Sequence, residues 1–276
     1  MQESVICACA TPVADLSKLN LDLHNQKVEG NRMYGYWGYL PVMLVCLLLS
    51  MYASGKVRSA YAKFDQIPCS SGMTGHEAAT RLLQRYQLSG ITVGKVGGLL
   101  SDHYHPSKNT VNLSDGTYHS HSIAAVAVAA HEIGHVLQNN TGYVPYRIRT
   151  AIVPAVNFGS RLAVPLVLIG LLLSGGISAS GQSQLGYTLA MTGVILYGFS
   201  VVFALVTLPV EYNASRRAKE MLVAQGILRE DELHGAEAVL SAAAMTYLAS
   251  LLVSLISFLR FLFLVLSAFG RRNTRR

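Results

Sequence analysis

Residues 162–210 contain no Asp, Glu, Lys, Arg or His. Few folds accept so long a stretch without a charge. Its two arms, "LAVPLVLIGLLL" and "LGYTLAMTGVILYGFSVVFALV", are strongly apolar, and the "SGGISASGQSQ" between them is small and polar. This is the pattern of a transmembrane hairpin, with one span near 162–174 and another near 186–208. The first arm is short for a span and is expected to tilt or to draw on the "AIVPAVNFGS" before it. Arg147, Arg149 and Arg161 precede the hairpin, Arg216, Arg217 and Lys219 follow it, and the connecting loop has no positive charge. The excess of Lys and Arg on cytoplasmic flanks then places both outer ends in the cytoplasm.

The rest of the chain agrees with a membrane protein. Only 13% of its residues are charged and 51% are hydrophobic, whereas soluble domains run nearer a quarter charged. Residues 34–55 form a further transmembrane helix. Tyr34, Tyr36, Trp37 and Tyr39 make an aromatic belt at its start, and Lys56, Arg58 and Lys63 follow its end. The span therefore runs inward and leaves 56–161 in the cytoplasm. Residues 1–33 lack a basic start followed by an apolar core, so they read as a flexible or loosely docked extension rather than a signal peptide. Residues 239–270 are expected to be a membrane-embedded C-terminal helix, with Arg260 inside it and a basic tail at 271–276. The formal charge is +7, but the basic residues are scattered along span flanks without interleaved aromatics, which argues against nucleic acid as a partner. Cys7, Cys9, Cys46 and Cys69 make neither a zinc-ribbon spacing nor a disulfide framework.

The chemistry lies in the more polar part, 56–161. "TGHE" at 74–77 is a capping box that opens a helix running to about Tyr86. "ITVGKVGGLLSDHYHPSKNTVNLSDG" reads as short strands broken by Gly, Pro-Ser and Asp-Gly turns. "SIAAVAVAAHEIGHVLQNN" is a helix with Ser122 as N-cap and a stop near Asn139 and Asn140. It carries His-Glu-x-x-His. Positions i and i+4 share a helix face, so His131 and His135 can offer two imidazole nitrogens to one ion. Glu132 stands one residue on, placed to act on a water without ligating. A catalytic zinc needs three protein ligands and an open position. The residues after His135, "VLQNNTGYVPY", hold no histidine, so the third ligand lies elsewhere. Of the downstream acids Glu211, Glu220, Glu230, Asp231, Glu232 and Glu237, Glu211 is singled out because it directly follows the hairpin. A hairpin returns the chain to the face it left. Glu211 is therefore expected at the start of a cytoplasmic helix within 211–238, beside the two histidines.

Four stretches carry a family resemblance: "SSGMTGHEAATRLL", "GGLLSDHYHPSKNTVNLS", "SIAAVAVAAHEIGHVLQ" and "TLPVEYNASRRA…GIL…AVLSAAAMTYLASLL". In this order they resemble the YugP-like membrane zinc metallopeptidases, over about residues 40 to 265. The chain is more distantly similar to the HtpX and CAAX-protease group, where two membrane helices also separate the metal motifs. The resemblance implies a gluzincin-like peptidase, mostly α with a small β element and about three to four membrane helices. It implies Zn2+ held by His131, His135 and Glu211, with Glu132 as the base. The chain departs from the family's Glu-Phe-Asp-Ala-Ser by reading Glu211-Tyr212-Asn213-Ala214-Ser215, and from its usual Asp by His105. In the wider group an Asp four residues after the ligand Glu orients a histidine, and here that place is Ser215.

The function expected on these grounds is peptide-bond hydrolysis at the membrane surface, by an integral membrane protein of the plasma (inner) membrane whose site faces the cytoplasm. Its partners would be a peptide or membrane-protein substrate and lipid. Zinc would acidify a water and polarise the scissile carbonyl, and Glu132 would carry the proton. Tyr212, Arg216, His234 and His103 are the candidates for an oxyanion donor. Asp102 and His103 could line the cleft, and the strand region could hold substrate on a sheet edge. His103 with His105, and His119 with His121, are weaker candidates for further metal ligands. An inactive zinc-binding scaffold is the alternative, against which the intact Glu132 stands. A transporter is disfavoured by a hairpin with no ionisable residue.

Overall fold

The computed structural model describes residues 39–176 and 184–270. The proposed extension at 1–33, the aromatic belt up to Gly38, the hairpin tip at 177–183 and the basic tail lie outside these residues. The chain divides into two compact units, Met1–Leu47 and Leu48–Arg276. Of the first, only 39–47 are described, all of them helical.

Helix α1 (Tyr39–Asp65) runs on past Gly55, further than the span expected from the apolar residues alone. At its end Asp65 accepts hydrogen bonds from the Ser120 and Ser122 hydroxyls at 3.1 and 2.8 Å. Ser122 is at the same time the N-cap of helix α4 and accepts from the Ala125 N–H at 3.1 Å. One carboxylate thus ties the end of α1 to the start of the motif helix. Helix α2 (Gly75–Arg85) opens with the expected capping box. The Glu77 N–H donates to Thr74 Oγ1 at 3.2 Å, and the Thr74 N–H donates to Glu77 Oε2 at 2.8 Å.

Three short strands follow: β1 (Thr92–Val96), β2 (His103–His105) and β3 (Thr110–Ser114). Their order is β1-β3-β2, with β1 parallel and β2 antiparallel to β3. Asp102 locks the β2 end of this sheet, because its carboxylate accepts from the Ser114 N–H at 2.7 Å and the Ser114 hydroxyl at 2.9 Å. β2 has β3 on one side only, so its other edge is unpaired among the described residues.

After the one-turn helix α3 (Asp115–His119) comes α4 (Ile123–Asn140), the most buried element of the fold. Its alanines keep it thin, which lets neighbours close in on all sides. Leu82 of α2, Leu113 of β3, Ile133 of α4 and Met221 and Leu222 further on share its hydrophobic core. The alternation expected in β3 is visible as Val111 and Leu113 buried on one face.

The remaining chain is three long helices: α5 (Val144–Gly176), α6 (Gln184–Ala224) and α7 (Leu233–Gly270). α5 and α6 cross closely. A Cβ on Gly193 would lie 2.6 Å from the Ala163 carbonyl oxygen, so only glycine permits this approach. Tyr197 of α6 meets Phe261 of α7 edge to face, with centroids 5.2 Å apart. Among the described residues four helices are long and apolar enough to cross a bilayer: Leu40–Asp65, Val144–Leu173, Gln184–Ala224 and Leu233–Phe269. This is a membrane protein, mostly α, with a small sheet.

The first arm of the hairpin draws on the "AIVPAVNFGS" stretch, one of the two ways expected for it to lengthen, since α5 begins at Val144. Another feature differs from the sequence expectation: Glu211 does not start a new helix. It lies inside α6, two residues after Pro209. A proline removes one helical hydrogen bond but need not end a helix that neighbours hold in place. At 41 residues α6 is about 60 Å long, roughly twice the thickness of a bilayer's hydrocarbon core. It carries the chain from the apolar residues after Gln184 to Glu211 and on to Arg216, Arg217 and Lys219 without a break.

Candidate metal centre

The motif helix α4 and the long helix α6 touch at Gly134. A Cβ there would come within 2.7 Å of the Ala214 carbonyl oxygen. This backbone contact is what brings the residues around Glu211 level with His131 and His135. The ligand atoms of His131, His135 and Glu211 all lie within 4.8 Å of one another, the one such group of three among the described residues. His131 Nε2 is 3.2 Å and His135 Nε2 3.6 Å from the same oxygen, Glu211 Oε2. Nitrogen and oxygen ligands about 2.1 Å from a tetrahedral zinc are separated by roughly 3.4 Å. The spacing therefore fits that ion, and so does the donor set of two imidazoles and a carboxylate.

The other ring nitrogen of His135 shows which tautomer that histidine takes. Arg217 can only donate, so the atom of Asn213 that its Nε meets at 2.9 Å is the carbonyl oxygen. That oxygen also receives Gln138 Nε2 at 3.0 Å, and the Val210 carbonyl receives the same amide at 2.8 Å. With its amide nitrogen so used, Gln138 presents Oε1 to His135 Nδ1 at 3.0 Å. An oxygen needs a donor, so Nδ1 bears the proton and Nε2 is left bare towards Glu211. His131 Nδ1 is 3.2 Å from Ser215 Oγ, a hydroxyl that can either donate or accept. Ser215 thus reaches the imidazole from the place where relatives of the wider group carry an aspartate.

Glu211 is only 1% exposed, although it is a carboxylate. Its second oxygen, Oε1, is bound by Arg149 Nη1 of α5 at 3.0 Å. The two oxygens thus have separate partners. One faces the histidines and the other faces a guanidinium.

Glu132 is buried beside this group. Burial pushes its carboxyl up to about 7, the nearby His131 pulls against this, and the Glu211 charge adds to it. The backbone N–H of Tyr104, in the middle of β2, is directed at it. A cavity of about 460 Å³ opens over the site. The three ligand candidates and Glu132 line it together with Asp102, His103 and Tyr104, and with Tyr146, Arg149 and Tyr247. Asp102 and His103 line it as expected.

Three of the four expected oxyanion donors are elsewhere. Tyr212 and Arg216 line a separate groove between α6 and α7, on another side of α6. His234 packs edgewise on Phe64 and its Nδ1 is 2.6 Å from the Asp231 carbonyl oxygen. The spacing of Tyr212 and Arg216 from Glu211 puts them on a different helix face, as one- and five-residue offsets do. His103, His105, His119 and His121 join no three-ligand group among the described residues. Sequence reasoning missed Gln138, Arg149 and Tyr247. Gln138 could have been found, since it lies one turn beyond His135 on the same face. Arg149 looked like a topology signal and Tyr247 like part of an apolar helix, and neither has a spacing that ties it to the motif.

The model of a family described as "Putative neutral zinc metallopeptidase" matches residues 39–266. The chain belongs to this family. It is also 42% identical over 229 residues to the "Putative membrane protease YugP" of Bacillus subtilis (strain 168), which covers 83% of this chain and 97% of that protein. No solved structure matches the chain. As a member of a zinc metallopeptidase family with a two-histidine, one-glutamate cluster, the protein is a zinc protein, and its long apolar helices give it a lipid environment.

Proposed function

We propose that this protein is a membrane-bound zinc endopeptidase that cuts peptide bonds at the cytoplasmic surface of the plasma membrane. His131, His135 and Glu211 hold the metal and Glu132 is the general base. The observation that carries this reading is the convergence of the Nε2 atoms of two histidines on one buried carboxylate oxygen, in a cavity that Glu132 also lines.

Zinc, when bound, supplies a Lewis acid that acidifies water and polarises a carbonyl. The chain's residues do the rest. Gln138 holds His135 in the tautomer that leaves Nε2 free, and Ser215 orients the His131 ring, roles whose loss lowers metal affinity. Glu132 takes the proton of the attacking water and passes it to the departing amine. A carboxyl tuned near neutrality suits a group that must do both. Arg147, Arg149 and Arg161 on one side of the hairpin, and Arg216, Arg217 and Lys219 on the other, support a cytoplasmic site. Substrates reaching it would be membrane proteins or peptides near the bilayer.

The test is Glu132→Gln in full-length protein purified in detergent, assayed on a fluorogenic peptide library with metal analysis alongside. The variant should keep one zinc per chain and lose cleavage by about 10²- to 10⁴-fold. Full cleavage by the variant, or no cleavage by wild type, would sink the reading; the latter would favour a zinc-binding scaffold.

A further inference from the structure

Hydrolysis of an amide passes through a tetrahedral carbon. The water oxygen bonds to the carbonyl carbon, the C=O π pair moves onto the carbonyl oxygen, and that oxygen needs a hydrogen-bond donor from the protein. The cavity offers few, and two of them are already committed. His103 has Nδ1 at 2.8 Å from the Ser101 carbonyl oxygen, which fixes the proton there, and its Nε2 faces the Asn112 amide nitrogen at 3.1 Å. It has no donor left. Thr150 spends its proton on the Tyr146 carbonyl at 2.9 Å. Tyr146 of α5 also lines the cavity, with its ring tilted against that of His135 at 6.2 Å between centroids. Arg149 gives its Nη1 to Glu211 Oε1, which ties the guanidinium to the ligand carboxylate.

Tyr247 is different. It comes from α7, lines the cavity, and its hydroxyl faces the Glu211 carboxylate. That carboxylate already has Arg149 on one oxygen and the histidine cluster on the other. Once a metal takes the second oxygen, Glu211 has no need of a further donor, and the phenol proton is free for another acceptor in the cavity.

We propose that Tyr247 is a catalytic residue that donates a hydrogen bond to the oxyanion of the tetrahedral intermediate, with Arg149 as the positioning residue that frees it by holding Glu211. This rests on the hydrolytic reading above and names its missing donor. It makes the C-terminal helix part of the active site as well as a membrane element. The proton stays on Tyr247. When the intermediate collapses, the C–N bond breaks, its electron pair goes to nitrogen, and Glu132 supplies the proton.

The experiment compares wild type, Tyr247→Phe and Tyr247→His as full-length detergent-solubilised proteins, on one peptide that wild type cleaves. Three quantities are read: kcat and KM, the zinc dissociation constant by chelator competition, and the affinity of a phosphinic analogue of that peptide, which mimics the tetrahedral state. Tyr247→Phe should lower kcat by about 10²-fold or more with KM changed less than about threefold. It should weaken the phosphinic analogue by a similar factor and leave zinc affinity unchanged, while Tyr247→His, which restores a donor, recovers part of kcat. Unchanged kcat in Tyr247→Phe overturns the assignment. So does a loss of zinc affinity that matches the loss of kcat, because Tyr247 would then serve Glu211 alone. A wild type that binds zinc and cleaves nothing overturns the hydrolytic reading itself, and this one with it.

Discussion

Arg217 Nε donates to Asn213 Oδ1 at 2.9 Å, and this contact, one turn along α6, settles the protonation of a histidine on α4. The amide of Asn213 is oriented by a residue that cannot accept, Gln138 is oriented by Asn213 and Val210, and His135 by Gln138. Replacing Gln138 by Met keeps the volume and removes the acceptor. Zinc affinity should fall about 10- to 100-fold, read by chelator competition, with helix content by circular dichroism unchanged. Asn213→Asp should bind zinc as wild type does, since a carboxylate accepts from both Arg217 and Gln138. If Gln138→Met binds zinc as tightly as wild type, the relay does not matter to the metal.

Gly134 provides a second test, of packing rather than protonation. In Gly134→Ala the new methyl meets the Ala214 carbonyl oxygen at 2.7 Å, a backbone atom that cannot rotate away. The helices must part, at a cost of about 1–3 kcal/mol, and Glu211 must leave the histidines. Both the melting temperature and the zinc content should drop. Gly55 is the control. Nothing lies within 4 Å of a Cβ there, so Gly55→Ala should leave both unchanged. Equal behaviour of the two variants would show that the α4–α6 contact is not tight in solution.

Much of this site was legible in the sequence because its constraints are local or topological. The i, i+4 histidines follow from helix periodicity. Glu211 followed from the return of a charge-free hairpin, although its place inside a continuous α6 did not, because Pro209 and the first charge after a long apolar run look like a helix start. The capping box at Thr74 and Glu77 is a four-residue pattern and is present as expected. Arg149 and Tyr247 were hidden for the opposite reason. They reach the site from α5 and α7, and their approach depends on how three long helices pack, which no short spacing encodes. Tyr212 and Arg216 were misjudged as oxyanion donors since nearness to Glu211 in sequence is not nearness on a helix surface.

Glu232 gives a pH prediction away from the metal. It lies in the turn between α6 and α7, and its carboxylate accepts from the Ser70 N–H at 2.7 Å, the Ser70 hydroxyl at 2.6 Å and the Arg229 N–H at 2.8 Å. Partial burial pushes its carboxyl upward, but these hydrogen bonds outweigh it and hold the group below the usual carboxylate range. The folded state therefore favours the ionised form. The stability this adds is present at neutral pH and is lost as pH falls from the ordinary glutamate value near 4.3 through the lowered one. The group is half-buried at the surface and screened by solvent, so the gain is about 1 kcal/mol or less. Thermal melts of wild type and Glu232→Gln should differ slightly at pH 7 and converge towards pH 3. A gap that widens on acidification would reverse the assigned sign.

Arg149 can be separated from the metal by melting the protein with and without zinc. Glu211 is a buried carboxylate with two sources of positive charge, the guanidinium 3.0 Å away and, when present, the ion. Removing one partner of a buried pair costs about 3–5 kcal/mol when nothing replaces it. Poorer positioning of a ligand costs a factor of 10 to 100 in metal affinity, about 1.4–2.7 kcal/mol. The first effect is the larger and acts only on the metal-free protein. Arg149→Met should therefore be strongly destabilised in chelator and much less so with saturating zinc, which widens the zinc-induced rise in melting temperature beyond that of wild type. An equal loss in both conditions would mean that Arg149 supports the packing of α5 rather than the charge of Glu211.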